Sequence, residues 1–232
     1  MKKIAIYHHL GMGDSIECNG MVRHYAETYD VVDVFAKDRY YESCEFMYRD
    51  NENIVVNKVD GSREYREVGD FLKSYDGEVL VAGHQNYFNN LSFFSDLKYG
   101  PGQSFYHIAN VPWKYRNEKF YFLRDLNEEK RVLDKLNPSG EKFVFVHDDR
   151  ERGYLIDLKS EHNIVRNDPT ESFFSMIGVL EAAEEVHCMS SSFLCLIDCL
   201  DKKIDIKKKF LHKQVRNVEL GPDGLLSDWE TA

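Results

Sequence analysis

The segment His8-His9-Leu10-Gly11-Met12-Gly13-Asp14 gathers two imidazoles, two glycines and a carboxylate within seven residues. An imidazole changes charge near neutral pH, and a carboxylate can accept a proton from an attacking hydroxyl. Glycines let the backbone come close to a ligand, and the N–H groups of a following helix point at negative charge. Two readings of Asp14 stand side by side. It caps the helix that follows, or it faces a ligand at the carboxyl edge of a sheet. A dinucleotide-binding fingerprint is met only in part. Gly11 and Gly13 fit its first two glycines, Ile16 replaces the third, and Asp33 lies roughly where a ribose-binding acid is expected.

Further polar groups follow apolar runs elsewhere. His84 comes directly after Val79–Gly83, at a second strand end. His147-Asp148-Asp149-Arg150-Glu151-Arg152 follows Phe143–Val146. Its arginines offer the fork geometry that suits a diphosphate, although charge runs of this kind also make solvated loops. His187-Cys188-Met189-Ser190-Ser191-Ser192 precedes an apolar helix. One serine there is an ordinary cap, whereas three supply hydroxyls and backbone N–H groups for an anion. Lys202, Lys203, Lys207–Lys209, Lys213 and Arg216 form a basic segment in an acidic chain. They form a solvated edge, or they face an anionic partner, either a nucleotide diphosphate or a phosphorylated or membrane-borne acceptor. No nucleophile elbow, Walker loop or zinc spacing occurs, so no zinc site is expected, while Asp148-Asp149 stays open as a metal clamp.

These groups need elements to hold them. Short β-branched runs at Lys3–Tyr7, Val31–Phe35, Ile54–Val56 and Val79–Ala82 alternate with helical stretches at Ile16–Tyr29, Tyr40–Arg49 and Arg63–Ser74. That alternation predicts a parallel sheet covered on both faces. Asn86–Asn110, with Tyr99-Gly100-Pro101-Gly102, reads as an irregular excursion. A second series follows. It has helices at Asn127–Leu136, Glu171–Ala183 and Phe193–Leu200, and strands at Phe143–Val146, Asn163–Val165, Val186–Cys188 and Ile204–Ile206. The expectation is α/β, two Rossmann-like doubly wound units facing a cleft. The first spans 1–112, the second 113–232, and the hinge lies near Val111–Asn117.

The chain has 232 residues, 43% of them hydrophobic, so it can build a packed core. A net charge of −10 excludes nonspecific nucleic-acid binding, which needs a basic face. No apolar run is long enough to span a membrane, and no export signal is read at the start. Five cysteines, with no CxxC pair, point to reduced thiols and a cytoplasmic protein.

The two loops together resemble glycosyltransferases of the two-Rossmann (GT-B) fold, nearest to the heptosyltransferase type. In that family a first strand runs into a Leu-Gly-Asp loop whose Asp is the catalytic base. The counterpart here is Leu10-Gly11-Met12-Gly13-Asp14, with two residues between Leu-Gly and Asp. The family's phosphate loop of small polar residues after a short strand is matched by Val186-His187-Cys188 and then Ser190-Ser191-Ser192. The Asn-Asp-Thr/Ser-Gly-Pro wording usual in the family is replaced by Cys-Met-Ser-Ser-Ser. The resemblance implies inverting transfer of a sugar, without metal or cofactor, from a nucleotide-sugar to a hydroxyl on a glycan or lipid-linked glycan. A peripheral membrane contact fits such an acceptor. The expected catalytic residues are Asp14 and His84. The expected donor-binding residues are Gly11, Gly13, Arg150, Arg152, His187, Ser190, Ser191 and Ser192. A sugar-nucleotide epimerase or hydrolase on the same fold, and a noncatalytic nucleotide-binding protein, are the rival readings.

Overall fold

A computed structural model of the chain describes residues 1–83, 101–216 and 228–232. Its described residues divide into two compact units, 1–123 and 124–216 with 228–232. Each is α/β with a wholly parallel sheet among the described residues.

The first unit runs β1 (Lys3–Tyr7), α1 (Met12–Ala26), β2 (Val31–Lys37), α2 (Tyr41–Tyr48), β3 (Ile54–Val59), α3 (Glu64–Lys73) and β4 (Glu78–Val81). The strand order is β3-β2-β1-β4. β1 is central, so Ile4 to Tyr7 are all buried, as a near-continuous apolar run requires in a sheet covered on both faces. Ala5 and Tyr7 pack with Phe35, Val59 and Val68 of α3. By strand alternation Ile4 and Ile6 point to the other face.

α4 (Pro101–Ile108) and α5 (Tyr115–Glu118) complete this unit by clasping α1. The Tyr106 hydroxyl donates to the Glu17 carbonyl at 2.8 Å and accepts from the Met21 amide at 3.1 Å. The buried Arg116 guanidinium meets the Glu17 carboxylate at 2.5 Å. Asn19 exchanges two hydrogen bonds with the Tyr121 backbone, at 3.1 and 3.0 Å. A Cβ on Gly20 would lie 2.0 Å from the Tyr115 carbonyl oxygen, so only glycine admits this approach.

These contacts correct the expected boundary. Residues 113–123 belong to the first unit, and Val111–Asn117 is anchored in it. Part of the expected excursion is likewise helical, as α4.

The second unit runs α6 (Leu126–Leu136), β5 (Phe143–His147), β6 (Asn163–Arg166), a 3-10 turn at Phe173–Met176, α7 (Ile177–Ala182), β7 (Glu185–Cys188), α8 (Ser192–Leu200), β8 (Lys209–Leu211) and β9 (Glu230–Thr231). Its strand order is β6-β5-β7-β8-β9. Arg124 holds α6 to α7 through Glu129 and Glu181. The expected strand at Ile204–Ile206 is instead β8, a few residues later. The Val186 amide bonds to the Lys208 carbonyl at 2.9 Å, and that sets the register of the pair.

Candidate functional site

In open parallel sheets ligands bind outside the carboxyl ends of the strands, where successive connections diverge to opposite sides. In the first unit that point lies between β1 and β4. The chain leaving β1 is His8–Gly11, and the chain leaving β4 is Ala82-Gly83. The Ala82 amide bonds to the Tyr7 carbonyl at 2.9 Å. A Cβ on Gly83 would lie 2.9 Å from both His8 C and His9 N, so glycine lets the two exits touch.

α1 then begins at Met12, earlier than its apolar pattern suggests, and Gly13 and Asp14 sit in its first turn. Gly11 is the N-cap and has no side chain to bond there. Asp14 does not fill that role. Its Oδ2 lies 2.6 Å from Nδ1 of His9. Those side chains are 26% and 32% exposed. A Cβ on Gly11 would fall 2.5 Å from that same Oδ2 and 3.5 Å from the His9 ring. Gly11 is therefore what allows the imidazole and the carboxylate to close over the turn. A negative group in the first turn also favours the positive end of the helix.

His8 has a different task. It is buried, and its Nδ1 bonds to the His9 carbonyl at 2.8 Å. Burial, the largest influence, lowers its pKa and keeps it neutral. Asp33 is structural, since it takes hydrogen bonds from Tyr75 at 2.8 Å and from Asn57 of β3 at 2.9 Å. His84 lies outside the described residues.

In the second unit the corresponding point lies between β5 and β7. The exits are His147-Asp148-Asp149 and Met189–Ser192. Ser191 caps α8, its Oγ accepting from the Leu194 amide at 3.4 Å. Ser192 opens the helix, and Ser190 is buried. The ring of His147 lies 4.2 Å from that of Phe193 in the first turn of α8. Burial pushes the His147 pKa down to about 4.

Arg150 and Arg152 lie in a turn closed by pairing of Asp149 with Tyr154. Both are mostly exposed, and each faces a carboxylate beside it. Arg152 Nε is 2.5 Å from Asp149 Oδ2, and Arg150 Nε is 3.9 Å from Asp148 Oδ1. His187 is buried in the sheet, stacked on Phe210 with ring centroids 4.6 Å apart. Its Nδ1 lies 2.9 Å from Nε2 of His212. Burial lowers the pKa of both imidazoles.

Two residues without an individual role in the sequence reading enter here. His9 was visible only as one of two imidazoles in the loop. Arg216 was visible only as the last cation of the basic segment. Its Nη1 donates to the Ser190 carbonyl at 3.0 Å, and its guanidinium lies 5.9 Å from the Tyr154 ring. Lys207 and Lys208 of that segment pair with Glu184 and Glu185 at 2.8 and 3.2 Å.

Among the described residues no cluster of three His, Cys, Asp or Glu side chains is arranged to hold a metal. None of their helices is long and apolar enough to cross a membrane.

No protein-family model matches the chain, and no curated protein matches it by sequence. Its fold has clear likenesses among solved structures. A glycosyl transferase of family 9 from Veillonella parvula superposes over 100% of this chain and 86% of its own, with TM-score 0.62 and 6% identity. The E. coli ADP-heptose LPS heptosyltransferase II superposes over 100% and 90%, with TM-score 0.58 and 10% identity. The E. coli heptosyltransferase WaaC, solved with ADP, superposes over 100% and 92%, with TM-score 0.50 and 12% identity. At such identities the likeness is one of fold: this chain has the α/β fold of the heptosyltransferase-like glycosyltransferases.

Proposed function

We propose that this chain transfers a glycosyl group, with inversion, from a nucleotide-sugar to a hydroxyl acceptor. The observation that carries this reading is the Asp14 carboxylate held by His9 at the strand-order switch of the first unit, in a fold shared with glycosyltransferases. The acceptor O–H gives its proton to Asp14. Its oxygen forms a bond to the anomeric carbon as the bond to the diphosphate breaks, and that electron pair leaves with the nucleoside diphosphate. In the second unit the first turn of α8, behind its Ser191 cap, has backbone N–H groups suited to a diphosphate. Arg216, held on the Ser190 carbonyl, adds a cation beside them. Arg152 contributes less, because Asp149 offsets its charge, and Arg150 is largely exposed, while the nearby Asp148 already pairs with Arg166.

The test is to incubate the protein with a panel of nucleotide-sugars, with and without hydroxyl acceptors, and to measure free nucleoside diphosphate. Acceptor-dependent release is expected. Equal release without acceptor identifies a hydrolase, and no release with any donor identifies a binding protein.

A further inference from the structure

The two consecutive histidines divide their work in a way the transfer reading alone does not require. His8 turns inward, and its ring bonds to the carbonyl of His9 at 2.8 Å. Gly83 packs against the amide side of the same residue, where a Cβ would come within 2.9 Å of His9 N. The His9 backbone is thus held at both ends. Its ring crosses the Gly11 turn to Asp14, at 2.6 Å. This contact joins residues five apart, from a loop to the first turn of a helix, so the regular spacing of helix neighbours does not produce it.

We propose that His9 is the positioning residue for Asp14: its Nδ1–H holds Oδ2 and fixes the carboxylate so that the other oxygen takes the acceptor proton. This rests on the reading of Asp14 as the base. A carboxylate in a first helical turn otherwise samples several rotamers, and reactions of this kind are sensitive to displacements of about 1 Å. The proton that leaves the acceptor hydroxyl ends on Asp14, while the Nδ1–H stays on His9 throughout. His9 gains and loses nothing in the cycle, which separates it from a base of its own.

Two measurements test this. The first compares His9→Ala with His9→Asn, whose carboxamide Nδ2 can stand where Nδ1 stood. His9→Ala is expected to lower kcat by roughly 10- to 100-fold with donor KM nearly unchanged. His9→Asn is expected to recover most of that loss. Wild-type turnover in His9→Ala, or no recovery in a folded His9→Asn, overturns the proposal. The second is long-range proton–nitrogen NMR of the wild-type imidazoles, which needs no activity. A proton on His9 Nδ1 is expected. A neutral His9 ring protonated only at Nε2 overturns the proposal even if the variants fail to fold. Wild-type protein inert toward every nucleotide-sugar would instead overturn the transfer reading, with the NMR result still deciding the pairing.

Discussion

The β1–α1 and β7–α8 connections are both short polar turns from a buried strand into a helix, yet they treat the helix start in opposite ways. The first puts glycine at the N-cap and leaves the cap without a side-chain bond. Its carboxylate sits two residues into the helix beyond Met12 and is engaged by an imidazole. The second puts Ser191 at the N-cap, and its hydroxyl is used on the Leu194 amide. The first therefore leaves a carboxylate paired with an imidazole at the helix start, whereas in the second a serine side chain serves the helix itself. On the function proposed above, the glycine cap leaves room for a proton acceptor and the serine cap for an anion seat.

The sharpest way to break this comparison is Asp14→Asn. If Asp14 is the base, turnover should fall by about 10² to 10⁴ while the melting midpoint falls by only a few degrees, the share of a first-turn charge. An early-melting variant would make the first turn structural like the second.

The next effect belongs to the imidazole under α8. The His147 pKa lies near 4 in the folded protein, and an unfolded histidine titrates near 6.5. Between those values the unfolded state binds more protons, so stability rises with pH. The full contribution is present above about pH 6.5 and is lost as pH falls toward 4, by roughly 3 kcal/mol at most. Burial shifts His8, His187 and His212 in the same direction. Denaturant midpoints measured from pH 7.5 to 4.5 should fall, and less steeply in His147→Phe. An identical slope in that variant would remove His147 from the account.

Ser191→Ala should cost about 1 kcal/mol of stability by denaturant titration, the usual value of a lost cap. Asp14→Asn should cost less than that, and a larger loss than that of Ser191→Ala would erase the distinction between the two turns. The smallest effect is expected of Lys207→Gln with Lys208→Gln. Because both lysines already face glutamates, nucleotide affinity by calorimetry should not change. A marked loss would move the anion seat from the serine turn to β8.

Much of this was legible. Buried β-branched runs mark β1, β2, β5 and β7, and their alternation with helices implies the parallel sheets. The serine turn and Asp14 stand out by position alone. Other features depend on neighbours distant in sequence. Tyr99-Gly100-Pro101-Gly102 reads as a turn, yet Pro101 begins α4. Proline suits a first helical position because it lacks only an N–H that has no helical partner there. The boundary near 112 failed because nothing local ties Arg116 to Glu17 or Tyr121 to Asn19. The arginines at 150 and 152 carried a visible warning, in that Asp148 and Asp149 stand beside them. The His9–Asp14 pair has no standard spacing to betray it, and only the missing Cβ of Gly11 makes it legible in space.

The clasp on α1 also sets an order of events. β1 to β4 can pair once Val81 has left the ribosome, but the partners of Glu17 and Asn19 lie at Tyr106, Arg116 and Tyr121. At about 5–20 residues per second, the remaining stretch takes a few seconds to emerge. During that interval the helix that carries Asp14 has a charged and an amide side chain uncovered on the flank that α4 and α5 later occupy. These long-range closures raise the contact order of a unit whose sheet is otherwise local, and they place completion of the α1 flank late in its folding.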